Sequence, residues 1–119
     1  MWVASPTLAH PEHARLVAAS GRAVLVEKPL AVDAAGALAL AGELAAAPVL
    51  SGVGFQHRFN PGIRALADAL AENRIGTVSS VMLHHCVAGP AAPATWRADP
   101  AQSGGWSIND LGTHLLDVA

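Results

Sequence analysis

Near the C-terminal end, Asn109-Asp110-Leu111-Gly112-Thr113-His114 sets a carboxylate four positions ahead of an imidazole. On a helix, side chains at that spacing are neighbours on one face. A carboxylate beside an imidazole orients the ring and favours its protonated form, as a general acid–base requires. The same residues admit a second reading. Ser107-x-x-Asp110 fits a capping box, in which Asp110 satisfies the helix start and His114 is a surface histidine.

Far upstream stands Glu27-Lys28-Pro29, directly after the apolar run Ala23-Val24-Leu25-Val26. Side chains there emerge at the C-terminal end of a strand, the edge where open α/β sheets collect ligands. Proline holds Lys28 extended. An ammonium so placed can hydrogen-bond a substrate hydroxyl and stabilise developing alkoxide charge. The alternative is an exposed Glu-Lys pair that contributes little to stability.

Other groups are weaker. In His84-His85-Cys86, adjacent strand residues point to opposite faces and only His84 and Cys86 share one; structural zinc takes about four ligands, so no metal is expected. His10 and His13, three apart near a helix start, read as solvated histidines. Trp96-Arg97 can stack on and hydrogen-bond a ligand, or anchor its loop by packing. Ser103-Gly104-Gly105 lets backbone approach a ligand closely, or makes a turn.

The elements that must position these groups read as follows. Residues 2–5 suggest a strand, Pro11 to Ser20 a helix stopped by Gly21, and residues 23–26 a strand covered on both faces. Asp33 caps a helix with Leu40 and Leu44 on one side, ending before Pro48, and residues 49–53 form another strand. This β-α-β-α-β order argues for a doubly wound α/β layer. Asn60-Pro61 then opens a helix with Ile63, Leu66, Ala67 and Leu70 on one face. Val81, Leu83 and Val87 alternate with Ser80, Met82 and His84, the pattern of a half-exposed strand. Residues 88–105 form a long loop. In the last helix Ile108, Leu111, Leu115 and Val118 make an apolar stripe, with Asp110, His114 and Asp117 on another face. The expected division is a partial dinucleotide-binding domain at 1–56 and a partial substrate and oligomerisation domain at 57–119.

Composition narrows the function classes. Across 119 residues, 52% are apolar and 13% charged, with a formal charge of −2 and no block of like charges. That excludes a disordered chain and offers neither a basic patch for nucleic acid nor a membrane-length apolar run. The single cysteine, Cys86, allows no intrachain disulfide and fits a reducing cytoplasm. Both ends read as interrupted: an apolar strand without a lead-in, and a helix without a C-cap. The chain reads as a piece of a longer protein.

In order along the chain, six segments resemble the Gfo/Idh/MocA oxidoreductases, the family of glucose–fructose oxidoreductase and inositol dehydrogenase. They are Ala4-Ser5-Pro6-Thr7-Leu8-Ala9-His10; Val26-Glu27-Lys28-Pro29-Leu30-Ala31; Val53-Gly54-Phe55-Gln56-His57-Arg58-Phe59-Asn60-Pro61; Ile75-Gly76-x-Val78; Trp96-Arg97-Ala98-Asp99-Pro100; and Ser103-Gly104-Gly105 followed by Asp110-x-Gly112-x-His114-x-x-Asp117. The resemblance implies an α/β fold: the C-terminal part of a Rossmann NAD(P)-binding domain, then the start of an α+β, open-sheet substrate domain. It implies hydride transfer between NAD or NADP and a hydroxyl-bearing carbon of a sugar or cyclitol. His114 would exchange the hydroxyl proton, Asp110 would orient His114 and the substrate, and Lys28 would bind the hydroxyl near the nicotinamide, with Asn109 also on the substrate side. Ser5, Pro6, His10, Glu27, Lys28, Gln56, Trp96 and Arg97 would line the cofactor, and the family often has a cis peptide before a proline of these segments. A homo-oligomeric, cytoplasmic full-length protein is expected.

The departures are specific. The glycine-rich G-x-G-x-x-G turn and the acidic residue that reads the ribose are absent, so the phosphates have no seat here. Trp106 stands where the family usually has a small residue, and His57 where another basic residue is frequent. These 119 residues alone are therefore expected to be inactive. The alternatives are a non-catalytic binding relative and a self-standing small α/β protein.

Overall fold

A computed structural model of the chain describes residues 1–86 and 95–119, with the backbone alone at Trp106. Three short apolar segments become parallel strands: β1 (Trp2–Val3), β2 (Val24–Val26) and β3 (Ser51–Val53), in the order β1-β2-β3. Trp2 pairs with Leu25 and Val3 with Val26; across β2's other edge, Val24, Leu25 and Val26 pair with Ser51, Gly52 and Val53. The crossovers are helices α1 (His10–Ala19) and α2 (Ala34–Ala46). As the Asp33 position predicts, its Oδ1 accepts a hydrogen bond from the Gly36 amide at 2.7 Å and starts α2.

Consecutive parallel strands joined by right-handed crossovers put both helices on the same side of the sheet. The core follows from this: Val3, Val24 and Val26 pack with Ala14 of α1 and Leu40 and Leu44 of α2. Leu25, whose side chain points to the opposite face, is 44% exposed. The expectation that β2 is covered on both faces is therefore corrected. Among the described residues, helices cover one side of this parallel α/β sheet.

The second half begins with a 3₁₀ turn, Gln56–Phe59, and helix α3 (Pro61–Ala71), where Asn60 Oδ1 accepts from the Gly62 amide at 2.9 Å. Leu66 and Leu70 on its apolar stripe remain exposed. Residues 77–86 form no strand, contrary to the alternation of residues 80–84. A strand needs a neighbour for its backbone N–H and C=O groups, and the described residues supply none to this segment; Val87 and the loop at 88–94 lie outside the described residues. The chain resumes with a 3₁₀ turn, Trp96–Ala98, then the short helix α4 (Pro100–Ser103), a π-helical turn at Trp106–Gly112, and α5 (Thr113–Val118). No helix among the described residues is long and apolar enough to cross a membrane.

Candidate active site

The C-terminal ends of the parallel strands place three segments side by side. Ser5 and Pro6 follow β1, Glu27 and Lys28 follow β2, and Phe55 and Gln56 follow β3. A cleft of about 290 Å³ opens there, lined by Ser5, Pro6, His10, Glu27, Lys28, Trp96, Arg97 and Asp110, with Trp2 and Ala4 at its edge. Seven of the eight residues that the resemblance puts near a cofactor thus border one cleft; Gln56 is exposed and lies outside it.

Lys28 and Asp110 form the centre. The lysine Nζ donates to Asp110 Oδ1 at 2.6 Å and also to the Asp110 carbonyl oxygen. Both side chains are largely shielded, at 11% and 18% exposure. Arg97 Nε lies 3.6 Å from Asp110 Oδ2, and its guanidinium sits 4.4 Å from the centre of the Trp96 ring. Asp110 is thus held between two cations. The Lys28–Pro29 peptide is cis.

The capping role for Asp110 does not occur. Residues 106–112 wind as a π turn whose start has no side-chain cap, and the Asp110 carboxylate faces Lys28 instead. Nor does Asp110 hydrogen-bond His114 among the described residues, although they stand four positions apart. The wider π turn changes the angular step between side chains, so spacing taken from an α-helix misplaces the partner.

His114 is buried, 5% exposed, and its Nδ1 is a buried polar atom without a hydrogen-bond partner among the described residues. Burial holds its imidazole below the usual histidine range; Lys28 and then His57 add to this, and Asp110 opposes it. The His57 ring stacks on it, with centroids 4.1 Å apart and planes at 12°. Phe55 meets it edge-on at 6.4 Å. The polar face of the last helix is the covered one: the Asp117 side chain is 6% exposed and receives both Nε and an NH2 group of Arg58, whereas Ile108 is 75% exposed.

Asn109, expected on the substrate side, donates from Nδ2 to the Val32 carbonyl oxygen at 2.8 Å. Beside it Gly104 has φ +75°, and a Cβ there would overlap both Asn109 Nδ2 and the Val32 oxygen. His10 is not solvated. It is 1% exposed, with Nδ1 2.7 Å from the Pro29 carbonyl oxygen and Nε2 2.8 Å from that of Ser5. Its ring bridges the chain after β1 to the chain after β2. His13, by contrast, is exposed and 3.0 Å from Ser5 Oγ. His57 is the residue that spacing does not single out; only its place between Gln56 and Arg58 in a recognisable segment points to it. Among the described residues no group of three or more His, Cys, Asp or Glu side chains is placed to hold a metal ion.

The cleft lies at the strand ends and is lined by Glu27 and Ser5, residues that could hold the nicotinamide end of a dinucleotide. No glycine-rich turn stands where phosphates would bind.

Two family models match almost end to end. Residues 1–55 match the oxidoreductase family with an NAD-binding Rossmann fold, and residues 63–119 match the GFO/IDH/MocA C-terminal domain. The chain is 30% identical over 119 residues to glucose-6-phosphate 3-dehydrogenase of Bacillus subtilis, covering 98% of this chain and 34% of that enzyme. It is 34% identical over 110 residues to inositol 2-dehydrogenase of Pseudomonas syringae pv. syringae, covering 92% and 30%. Among solved structures, levoglucosan dehydrogenase in complex with NADH and levoglucosan superimposes with a TM-score of 0.86 at 27% identity, over 99% of this chain and 32% of that one. The chain spans about a third of the length of the relatives it matches.

Proposed function

The chain belongs to the Gfo/Idh/MocA oxidoreductase family, and on that footing we propose that it carries the proton-transfer centre of an NAD(P)-dependent dehydrogenase acting on a hydroxyl-bearing carbon of a sugar or cyclitol. The carrying observation is the unpartnered, buried Nδ1 of His114 in reach of the Lys28–Asp110 charges. A buried nitrogen with no protein partner is costly unless a ligand supplies one. We take a substrate hydroxyl to be that partner once substrate is seated.

When bound, the nicotinamide accepts or supplies the hydride at the carbon. His114 takes the hydroxyl proton as the alcohol becomes a carbonyl and returns it in the reverse direction. A neutral imidazole is the competent proton acceptor, and the buried ring favours that state. Lys28 has three donor hydrogens and gives two to Asp110, which leaves one for the substrate oxygen. There it stabilises the negative charge that develops as the proton leaves. Asp110 acts through Lys28, fixing the ammonium. Glu27, Ser5, Pro6, His10, Trp96 and Arg97 border the nicotinamide half of the cofactor, with Gln56 at the periphery and Asn109 holding the turn that carries Asp110. The units are residues 1–56 and 57–119, and family membership supports a homo-oligomeric, cytoplasmic whole protein.

The test uses the full-length protein with NAD, NADP and a panel of sugars and cyclitols. Lys28→Ala and His114→Ala should each lower kcat by about 100-fold or more, while nucleotide affinity by fluorescence stays near wild type. Unchanged turnover in both variants would sink the assignment.

A further inference from the structure

We propose that His57 is a positioning residue for His114: its stacked ring, rather than the Asp110 carboxylate, holds the His114 imidazole in the orientation that proton transfer requires. This rests on the acid–base role given to His114 above.

A histidine ring turns about a broad, weakly preferred torsion, so its orientation must come from contacts. Hydrogen bonding does not supply one at Nδ1. Asp110 is engaged by Lys28 and faces Arg97. What remains is the His57 ring, nearly parallel at 12° and 4.1 Å, with the Phe55 ring edge at 6.4 Å and 80°. A flat face on one side and an edge on another restrict rotation as a hydrogen bond would.

His57 is itself held. Its neighbour Arg58 grips Asp117 of α5 through two guanidinium nitrogens, which ties the 3₁₀ turn to the helix that carries His114. The His85 ring lies 6.0 Å from that of His57, at an interplanar angle of 27°. The His57 ring thus has two imidazole neighbours, His114 at 4.1 Å and His85 at 6.0 Å. The charged and titratable groups around His114 come from four segments: Lys28 after β2, His57 in the 3₁₀ turn, His85 in the 77–86 segment and Asp110 in the π turn. Two stacked imidazoles resist carrying charge together. The arrangement that aims the ring thus also keeps it ready to accept a proton.

The experiment compares His57→Ala with His57→Phe in the full-length protein. It follows kcat, KM for the nucleotide, the pH profile of kcat/KM, and the His114 titration by imidazole NMR. In His57→Ala, kcat should fall about 10- to 100-fold, the scale of a misplaced reacting group, with nucleotide KM near wild type. The acid limb and the His114 titration should both move to higher pH, because a ring and its charge are gone. His57→Phe keeps the flat face and should restore most of kcat. If the alanine variant does not fold, His57→Leu, which has bulk but no π face, takes its place. Wild-type kcat and titration in the variant without a ring overturn the proposal, as does a phenylalanine variant as impaired as alanine. Should His114→Ala keep its turnover, the acid–base assignment fails; the stack then stands if the NMR titration moves in His57→Ala, and falls if it does not.

Discussion

Lys28 and Asp110 are 82 positions apart in sequence and 2.6 Å apart at their charged atoms. This pair joins the end of the parallel sheet to the π turn before α5, so the two parts of the chain meet at one largely shielded ion pair.

Asp110→Asn keeps the shape of the side chain and removes its charge. It should cost about 1–3 kcal/mol, between the values for exposed and buried pairs. Arg15→Gln, which breaks the half-exposed Arg15–Glu43 pair, should leave stability close to wild type. Denaturant unfolding of the full-length protein compares the two; equal effects would mean that the Lys28–Asp110 pair is not protected from solvent.

His10→Ala removes a ring that faces two carbonyl oxygens. Leaving buried acceptors without a partner should cost about 2–3 kcal/mol and loosen the cleft, raising KM for the nucleotide. His13→Ala should be near neutral in both measurements. A stable His10→Ala protein with unchanged KM would remove the bridge from the account of the cleft.

Most of the first half was legible from sequence, because each element depends on its own residues. Asp33 caps α2, Asn60-Pro61 opens α3, and the apolar runs at 24–26 and 51–53 pair in parallel. Where a side chain's environment is set by distant residues, local pattern fails. His10 reads as solvated because nothing nearby reveals carbonyl oxygens at Ser5 and Pro29. Asp110 reads as a cap or as a partner of His114 because helical spacing assumes a regular α step, which the π turn breaks. The alternation at 80–84 reads as a strand, but pairing belongs to two segments and cannot be found in one.

In the core, Leu40 is fully buried and Leu38 is 74% exposed on the same helix. Leu40→Ala should lose about 2–5 kcal/mol, while Leu38→Ala should stay within about 0.5 kcal/mol of wild type. Thermal unfolding of the two variants side by side checks which face of α2 meets the sheet.

The depressed titration of His114 has a sign. A histidine whose folded value lies below its unfolded one binds fewer protons when folded, so the proton-linked part of its burial cost vanishes at high pH. The cost grows as pH falls past the ordinary value of 6.5 toward the lower folded value. Stability should therefore drop on mild acidification, and His114→Phe should flatten that part of the curve. A variant with the same pH slope as wild type would place the titration elsewhere.

Gly104 gives the site its narrowest tolerance. The space for one methyl group at that position is already filled by the Asn109 amide and the Val32 oxygen. Asn109 is the residue next to Asp110, so anything that wedges those groups apart also shifts the carboxylate that steadies Lys28. The placing of the Asp110 carboxylate against the Lys28 ammonium is thus gauged by a hydrogen atom standing where a side chain would be.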